Sequence, residues 1–210
     1  MKKDQHNKAE RFWDRTAGSY DKEEQKHKKT YHLVIEKLKG YLQPTHIVLD
    51  FGCGTGLIAN EITKSVKEIH AIDISAKMIE LATIKAKKQH IDNIQYTQAT
   101  VHSENLKAST YDVILAFHIL HLVEDASLTI QRIKELLKPG GIFISVTPCM
   151  ADKPFFSGLL SLFGSIGIVP KITSFNYQDL QNLLADEKLT IVESEKLAGT
   201  SNQYFIVGKK

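Results

Sequence analysis

Three glycines at alternate positions, directly after a short apolar run, constrain this chain more than any other feature. Ile47-Val48-Leu49 reads as a buried strand. Asp50-Phe51-Gly52-Cys53-Gly54-Thr55-Gly56 reads as a loop, and Leu57 to about Lys64 as a helix. Glycine takes positive φ and leaves room for a ligand where a Cβ would clash. A loop opening onto a helix N-terminus presents N–H groups that the helix itself leaves free. Strand, glycine loop and helix together therefore describe a nucleotide-type ligand site. The spacing narrows the choice. A dinucleotide fingerprint requires Gly-x-Gly-x-x-Gly. Here the third glycine, Gly56, arrives one residue early, and Leu57 takes the place of the expected one. A phosphate loop would need a Lys-Ser/Thr pair after its last glycine, and none follows. Asp50, at the strand end, would repel a pyrophosphate and attract a cation.

A length of 210 residues suits one domain with small additions. A net charge of +3, with dispersed lysines and few aromatics among them, makes no case for nucleic-acid binding. Met1 to Arg15 is polar and has no apolar core, so a secretory signal is not expected and a cytoplasmic location is. Cys53 and Cys149 form no close-spaced pair, and the nine histidines show no His-x-x-x-His spacing. Neither a disulfide framework nor a metal site is expected.

Strand and helix patterns alternate along the chain, which predicts a doubly wound α/β sandwich with a mainly parallel sheet. Glu68 to Asp73 is a short strand ending in an acid. Asp73 lies 17 residues beyond Gly56, near the offset at which nucleotide folds place a ribose-binding carboxylate. A carboxylate accepts hydrogen bonds only and can take both ribose hydroxyls. The alternative for Asp73 is a helix cap, but Ser75 is better placed to cap the helix that runs to about His90. Strands follow at 94–99 and at 111–117. The second is apolar throughout, as in a parallel strand buried on both faces. Phe117 ends it, and His118 and His121 lie just beyond, at the edge where such sheets bind ligands. In a helical turn the two histidines would share a face. Each reads either as a structural histidine or as a base. A helix from about Ser127 to Leu137, the turn Lys138-Pro139-Gly140-Gly141 and a strand at 142–147 come next. A helix opening near Ser174 and two closing strands, 189–194 and 203–207, complete the chain. The last two form a hairpin that makes one edge antiparallel.

Two stretches are less regular. Residues 1–30 are strongly charged, and within them Lys22 to Lys29, which has no apolar residue, reads as a solvated helix face or a mobile segment. Their aromatics, Phe12, Trp13 and Tyr20, either dock on the core or close as a lid. Residues 155–169 carry no charge over 15 positions, too short for a span of about 20. They line an apolar substrate pocket, cover the core or an oligomer interface, or touch a membrane surface.

The glycine loop with Asp50, the acid Asp73 and the Leu-Lys-Pro-Gly-Gly turn resemble the motifs of class I S-adenosylmethionine (SAM) dependent methyltransferases. The likeness extends over about residues 45–207. The run Ile119-Leu120-His121-Leu122 with Glu124-Asp125 is most similar to small-molecule members related to quinone-biosynthesis methyltransferases. The resemblance implies a Rossmann-like three-layer sandwich whose seven-stranded sheet has one antiparallel strand. It implies a methyltransferase domain over 31–210, preceded by an N-terminal helical lid over 1–30, with 148–174 as an apolar insertion on the substrate side. SAM would be held by Asp50, Gly52, Cys53, Gly54 and Gly56 in the loop and by Asp73 at the ribose. Ile74 and Met78 would flank the adenine, although Met78 could equally be core. Phe117 would belong to the same edge. Phe12-Trp13-Asp14 with Tyr20-Asp21 is similar to the N-terminal segment of such enzymes, where the Tyr sits near the methionine end. The chain departs from the pattern at Ala99-Thr100-Val101, where many members carry an acid for the adenine amine. Thr100, or the backbone around Ala99 and Val101, would replace it.

The sequence thus points to methyl transfer onto a small, apolar or aromatic molecule, with His118, His121 or Tyr20 as the general base if the acceptor must lose a proton. The alternative is a SAM-binding subunit or sensor that transfers nothing. A nicotinamide oxidoreductase is disfavoured by the glycine spacing and by Asp50.

Overall fold

A computed structural model describes residues 2–25, 28–151, 172–200 and 202–210. The apolar run at 155–169 lies outside the described residues. Two helices, α1 (Lys2–Gln25) and α2 (Lys28–Lys39), precede the first strand. The alternation then runs β1 (Ile47–Phe51), α3 (Leu57–Ile62), β2 (Glu68–Asp73), α4 (Ala76–Lys88), β3 (Ile94–Gln98) and β4 (Tyr111–Phe117). It continues with α5 (Ala126–Leu136), β5 (Leu137–Pro148), α6 (Tyr177–Asp186), β6 (Thr190–Lys196) and β7 (Gln203–Lys209).

The described strands form one seven-stranded sheet in the order β3-β2-β1-β4-β5-β7-β6. β1 pairs in parallel with β2 and β4, β2 with β3, and β4 with β5. β7 runs antiparallel to both its neighbours, β5 and β6. It is the one antiparallel strand, and it lies inside the sheet with β6 at the edge. The strand order reverses between β1 and β4, so their carboxyl ends diverge and leave a crevice.

Strand alternation builds two cores. Leu49, Ile114, Ala116, Phe143 and Ile206 face α5 and α6, packing against Ile130, Ile133, Leu180 and Leu184. Val48, Val113, Leu115, Ile144, Phe205 and Val207 face α2 and α3, packing against Val34, Leu38, Ala59 and Ile62. Ser75 caps α4 by accepting from the Met78 N–H at 3.0 Å. Gly140 takes φ 76° in the turn opening β5, a conformation that glycine adopts without strain.

Ahead of the exposed Lys22 and Glu23, α1 docks on the body of the protein. Glu10, Asp14, Ala17 and Asp21 follow one another at helical spacing on a single stripe. Ala17 is buried. Glu10 accepts from Gln98 Nε2 at 3.0 Å. Asp14 Oδ1 accepts from the Ser75 hydroxyl at 2.6 Å and the Lys77 N–H at 3.1 Å. Asp21 takes the Thr55 hydroxyl at 2.5 Å and Lys85 Nζ at 2.7 Å. The helix therefore lies across α4 and the glycine loop.

Phe205, fully buried in the middle of β7, packs on Tyr41 and lies under Lys37 Nζ. Phe205→Ala should lower stability by about 3–5 kcal/mol in urea unfolding. A loss under about 1 kcal/mol would show that β7 is not part of the core.

Candidate functional site

The site forms where β1 and β4 part. Asp50 ends the apolar part of β1 and is 3% exposed. Its Oδ2 is buried and has no hydrogen-bond partner. Burial, and then the neighbouring Asp73, push its carboxyl from the usual value of 3.8 up to about 7. A buried acceptor with no donor is costly, so a cationic or donor group is the natural complement of this atom.

Asp73 holds the corner between β2 and α4. Its Oδ2 accepts from the Gly54 N–H and its Oδ1 from the Ser75 N–H, both at 2.9 Å. Burial raises its pKa, and the N–H donors pull it back. The Ile74 N–H bonds the carboxylate as well, and of its roughly four acceptor sites some capacity remains for a ligand hydroxyl.

Gly52, Gly54 and Gly56 all have positive φ, at 73°, 53° and 77°. A Cβ on Gly52 would lie 2.9 Å from Ile119, and one on Gly56 would run into the Tyr96 hydroxyl. The glycines are thus demanded by conformation and by space. The expected row of free N–H groups is corrected. Gly52 and Cys53 donate to the Ile72 carbonyl at 2.8 and 3.0 Å, Gly56 donates to Cys53 at 3.0 Å, and Gly54 is held by Asp73. These four amides are thus not free to meet a phosphate. Cys53 is buried, and burial with both carboxylates keeps it a thiol.

At the adenine side, Ile74 is half-buried, its carbonyl accepting from Gln98 Nε2 at 3.0 Å. Met78, in the first turn of α4, is fully buried. The Ala99 N–H donates to the Asp73 carbonyl at 2.9 Å and the Thr100 N–H to Ser103 Oγ at 3.1 Å. Val101 is core, and its carbonyl takes Arg132 Nε at 3.4 Å. The polar groups around Ala99 to Val101 are thus partly engaged by the protein itself.

Beyond β4, His118 takes φ 54° and donates its N–H to Val146. It stands ahead of the 3-10 turn Leu120–Leu122 that carries His121. The two histidines therefore do not share one helical face, although they are close enough for His118 to depress His121. His121 Nδ1 is buried without a partner, and burial, then His118, lower its pKa to about 4. Two flanking segments tie down here, with the Thr173 N–H on the His121 carbonyl at 2.8 Å and the Ala151 N–H on Phe175 at 3.0 Å.

A cavity runs along this edge. Tyr20, Glu24 and Tyr31 roof it from α1 and α2. Asp50, Gly52 and Cys53 line one end, and Phe117, His118, Val146 and Gln203 the other. Tyr20 Cε1 would be 3.5 Å from a Cβ on Gly54. Burial, then Glu24 and other carboxylates, hold the Tyr20 hydroxyl well above its ordinary pKa. Tyr20 is thus a neutral donor, which argues against it as a base. The free volume is about 70 Å³, against roughly 300–1,000 Å³ for sites that enclose a cofactor-sized ligand. The residues suit a cationic nucleoside, and the roof must shift to admit one. Sequence reasoning missed Glu24, Tyr31, Ile119 and Gln203. Only the stripe at Asp14, Ala17 and Asp21 offered a signal for the roof. Among the described residues no group of three or more His, Cys, Asp or Glu could hold a metal ion. No helix there is long and apolar enough to cross a membrane.

The raised pKa of Asp50 has a stability consequence. The folded chain binds this proton more tightly than the unfolded chain, so the contribution falls as pH rises from about 3.8 to about 7. Asp50→Asn should therefore raise the thermal midpoint of the ligand-free protein at pH 8, and by much less at pH 5. Equal shifts at both values would contradict the burial of this carboxyl.

The chain is similar to known proteins. Residues 42–193 match the family model of a methyltransferase domain. A ubiquinone biosynthesis O-methyltransferase of Rickettsia typhi is 31% identical over 172 residues, covering 78% of this chain and 69% of that protein. A malonyl-[acyl-carrier protein] O-methyltransferase of Halalkalibacterium halodurans is 31% identical over 148 residues, covering 66% of this chain and 54% of that one. The crystal structure of the YcgJ protein from Bacillus subtilis superposes with a TM-score of 0.71 at 16% identity, covering 88% of this chain and 99% of that chain. At that identity the likeness is one of fold. With the domain match spanning most of its length, the chain belongs to the class I SAM-dependent methyltransferases.

Proposed function

We propose that this enzyme methylates an oxygen of a small, largely apolar or aromatic acceptor. The observation that carries the reading is the cavity itself. It begins at a buried, unpartnered acid beside the glycine loop and continues between aromatic rings towards His118. The relatives named as ubiquinone biosynthesis O-methyltransferases support a phenolic oxygen. A purely SAM-binding subunit is not favoured, since the relatives are named as O-methyltransferases.

SAM supplies, when bound, a methyl already activated on a sulfonium. The chain's own work is to bind, to orient and to exclude water. Asp73 takes the ribose hydroxyls with its remaining acceptor sites. Gly52, Cys53, Gly54 and Gly56 let the backbone close on the ligand, and Asp50 balances its positive charge. Ile74, Met78 and Phe117 give apolar contact, and Ala99, Thr100 and Val101 border the adenine edge. Holding the reacting atoms in line can supply roughly 7–11 kcal/mol at the favourable limit. α1 acts as the lid. Its Asp14 and Asp21 contacts hold Tyr20 over the site, so closing it expels water.

His121 is the base. A pKa of about 4 keeps its imidazole neutral at physiological pH, with Nδ1 free to take a proton. It is a weak base for this task, so its contribution belongs at the low end of the usual range, about 10²-fold.

Asp73→Ala should weaken SAM binding at least about tenfold by calorimetry, the scale of a lost hydrogen bond to a charged group. Affinity within about twofold of the parent would remove the ribose assignment. His121→Ala should lower kcat on a phenol about 10²-fold and leave SAM affinity unchanged. An unaltered kcat would reduce His121 to a structural role.

A further inference from the structure

Gln203 opens β7, paired with Pro148 at the end of β5. It lines the same cavity as Asp50, and its Oε1 is buried without a hydrogen-bond partner. Its main chain is fixed on both sides. The Gln203 N–H donates to Thr200 Oγ1 at 3.2 Å, and its carbonyl accepts from the Leu197 N–H at 2.9 Å. The side chain therefore starts from a rigid base. Three strand spacings of about 4.8 Å, from β1 through β4 and β5 to β7, put it roughly 14 Å along the sheet from Asp50. Cofactor held at β2 and β1 leaves this far end to the acceptor. The charge of the lining is one-sided. Its described residues include Asp50 and Glu24 and no lysine or arginine.

We infer that Gln203 positions the acceptor by accepting a hydrogen bond from it, and that the site selects an uncharged donor-bearing acceptor over an anionic one. This rests on the methyl-transfer reading above and deepens it. A carboxylate or phosphate in the cavity would lie near two acids, with no lysine or arginine among the described lining residues to offset them. A neutral hydroxyl would satisfy the orphaned Oε1. The residue touches the end of the acceptor away from the methyl, so it governs binding and specificity, while the chemical step depends on other groups.

The test is a calorimetric titration of the protein saturated with S-adenosylhomocysteine. Two probes are used, methylcatechol and protocatechuate, which differ by a methyl group in place of a carboxylate. Methylcatechol should bind at least about tenfold tighter. Gln203→Leu should cost it about tenfold, the value of one buried hydrogen bond. That variant should leave S-adenosylhomocysteine affinity within about twofold. Gln203→Lys should shift the preference towards protocatechuate, a gain that mere structural damage would not produce. Protocatechuate binding as tightly as methylcatechol to the parent would overturn the inference. So would an unchanged methylcatechol affinity in Gln203→Leu, or no binding of either probe. Failure of the parent to bind S-adenosylhomocysteine would instead overturn the methyl-transfer reading beneath it.

Discussion

Two carboxylates buried at the ends of adjacent parallel strands set the terms for everything around them. Asp50 and Asp73 repel each other in a dry corner, and each is pushed towards its protonated form. Asp73 is partly compensated by the amides of Gly54 and Ser75. Asp50 is not, and its Oδ2 has no donor. A fold keeps such a group where function requires it and offsets the cost elsewhere. On the proposed reading, the diol of a sulfonium nucleoside meets one acid and its positive charge the other. A pyrophosphate would bring negative charge to both, and the amides of Gly52, Cys53, Gly54 and Gly56 are already bonded within the protein.

The sheet topology makes the corner possible. Reversal of strand order between β1 and β4 opens a crevice at their carboxyl ends, and the two cores on either face hold its walls rigid. α1 then covers it through polar contacts from Asp14 and Asp21 rather than through a deep apolar seam. Bonds of that kind are exchangeable with water at modest net cost, which suits an element that must open. On the proposed reading of α1 as a lid, cofactor entry requires it to yield.

What could be read from the chain was what local chemistry dictates. The glycine spacing, the acid at the end of β2, the Ser75 cap and the Gly140 turn depend on neighbours a few residues away, and each is where its residues demand. Interactions brought together by tertiary packing were not legible. The acids of α1 give no sign of their partners until α4 is set against them. The loop amides look free until β2 delivers the Ile72 carbonyl. His118 takes a left-handed conformation that no glycine announced, which separates it from the turn carrying His121. Gln203 shows the same limit, because strand alternation gives its side of the sheet and says nothing of what it faces there.

Asp50 is a buried acid whose pKa is raised to about 7, and on the proposed reading a cationic cofactor is its partner. Calorimetry of SAM binding at pH 7 in buffers of different ionisation heat measures the protons exchanged. The parent should release a proton fraction that Asp50→Asn does not, because the bound cation favours the ionised carboxylate. Identical proton release from the two proteins would contradict the account.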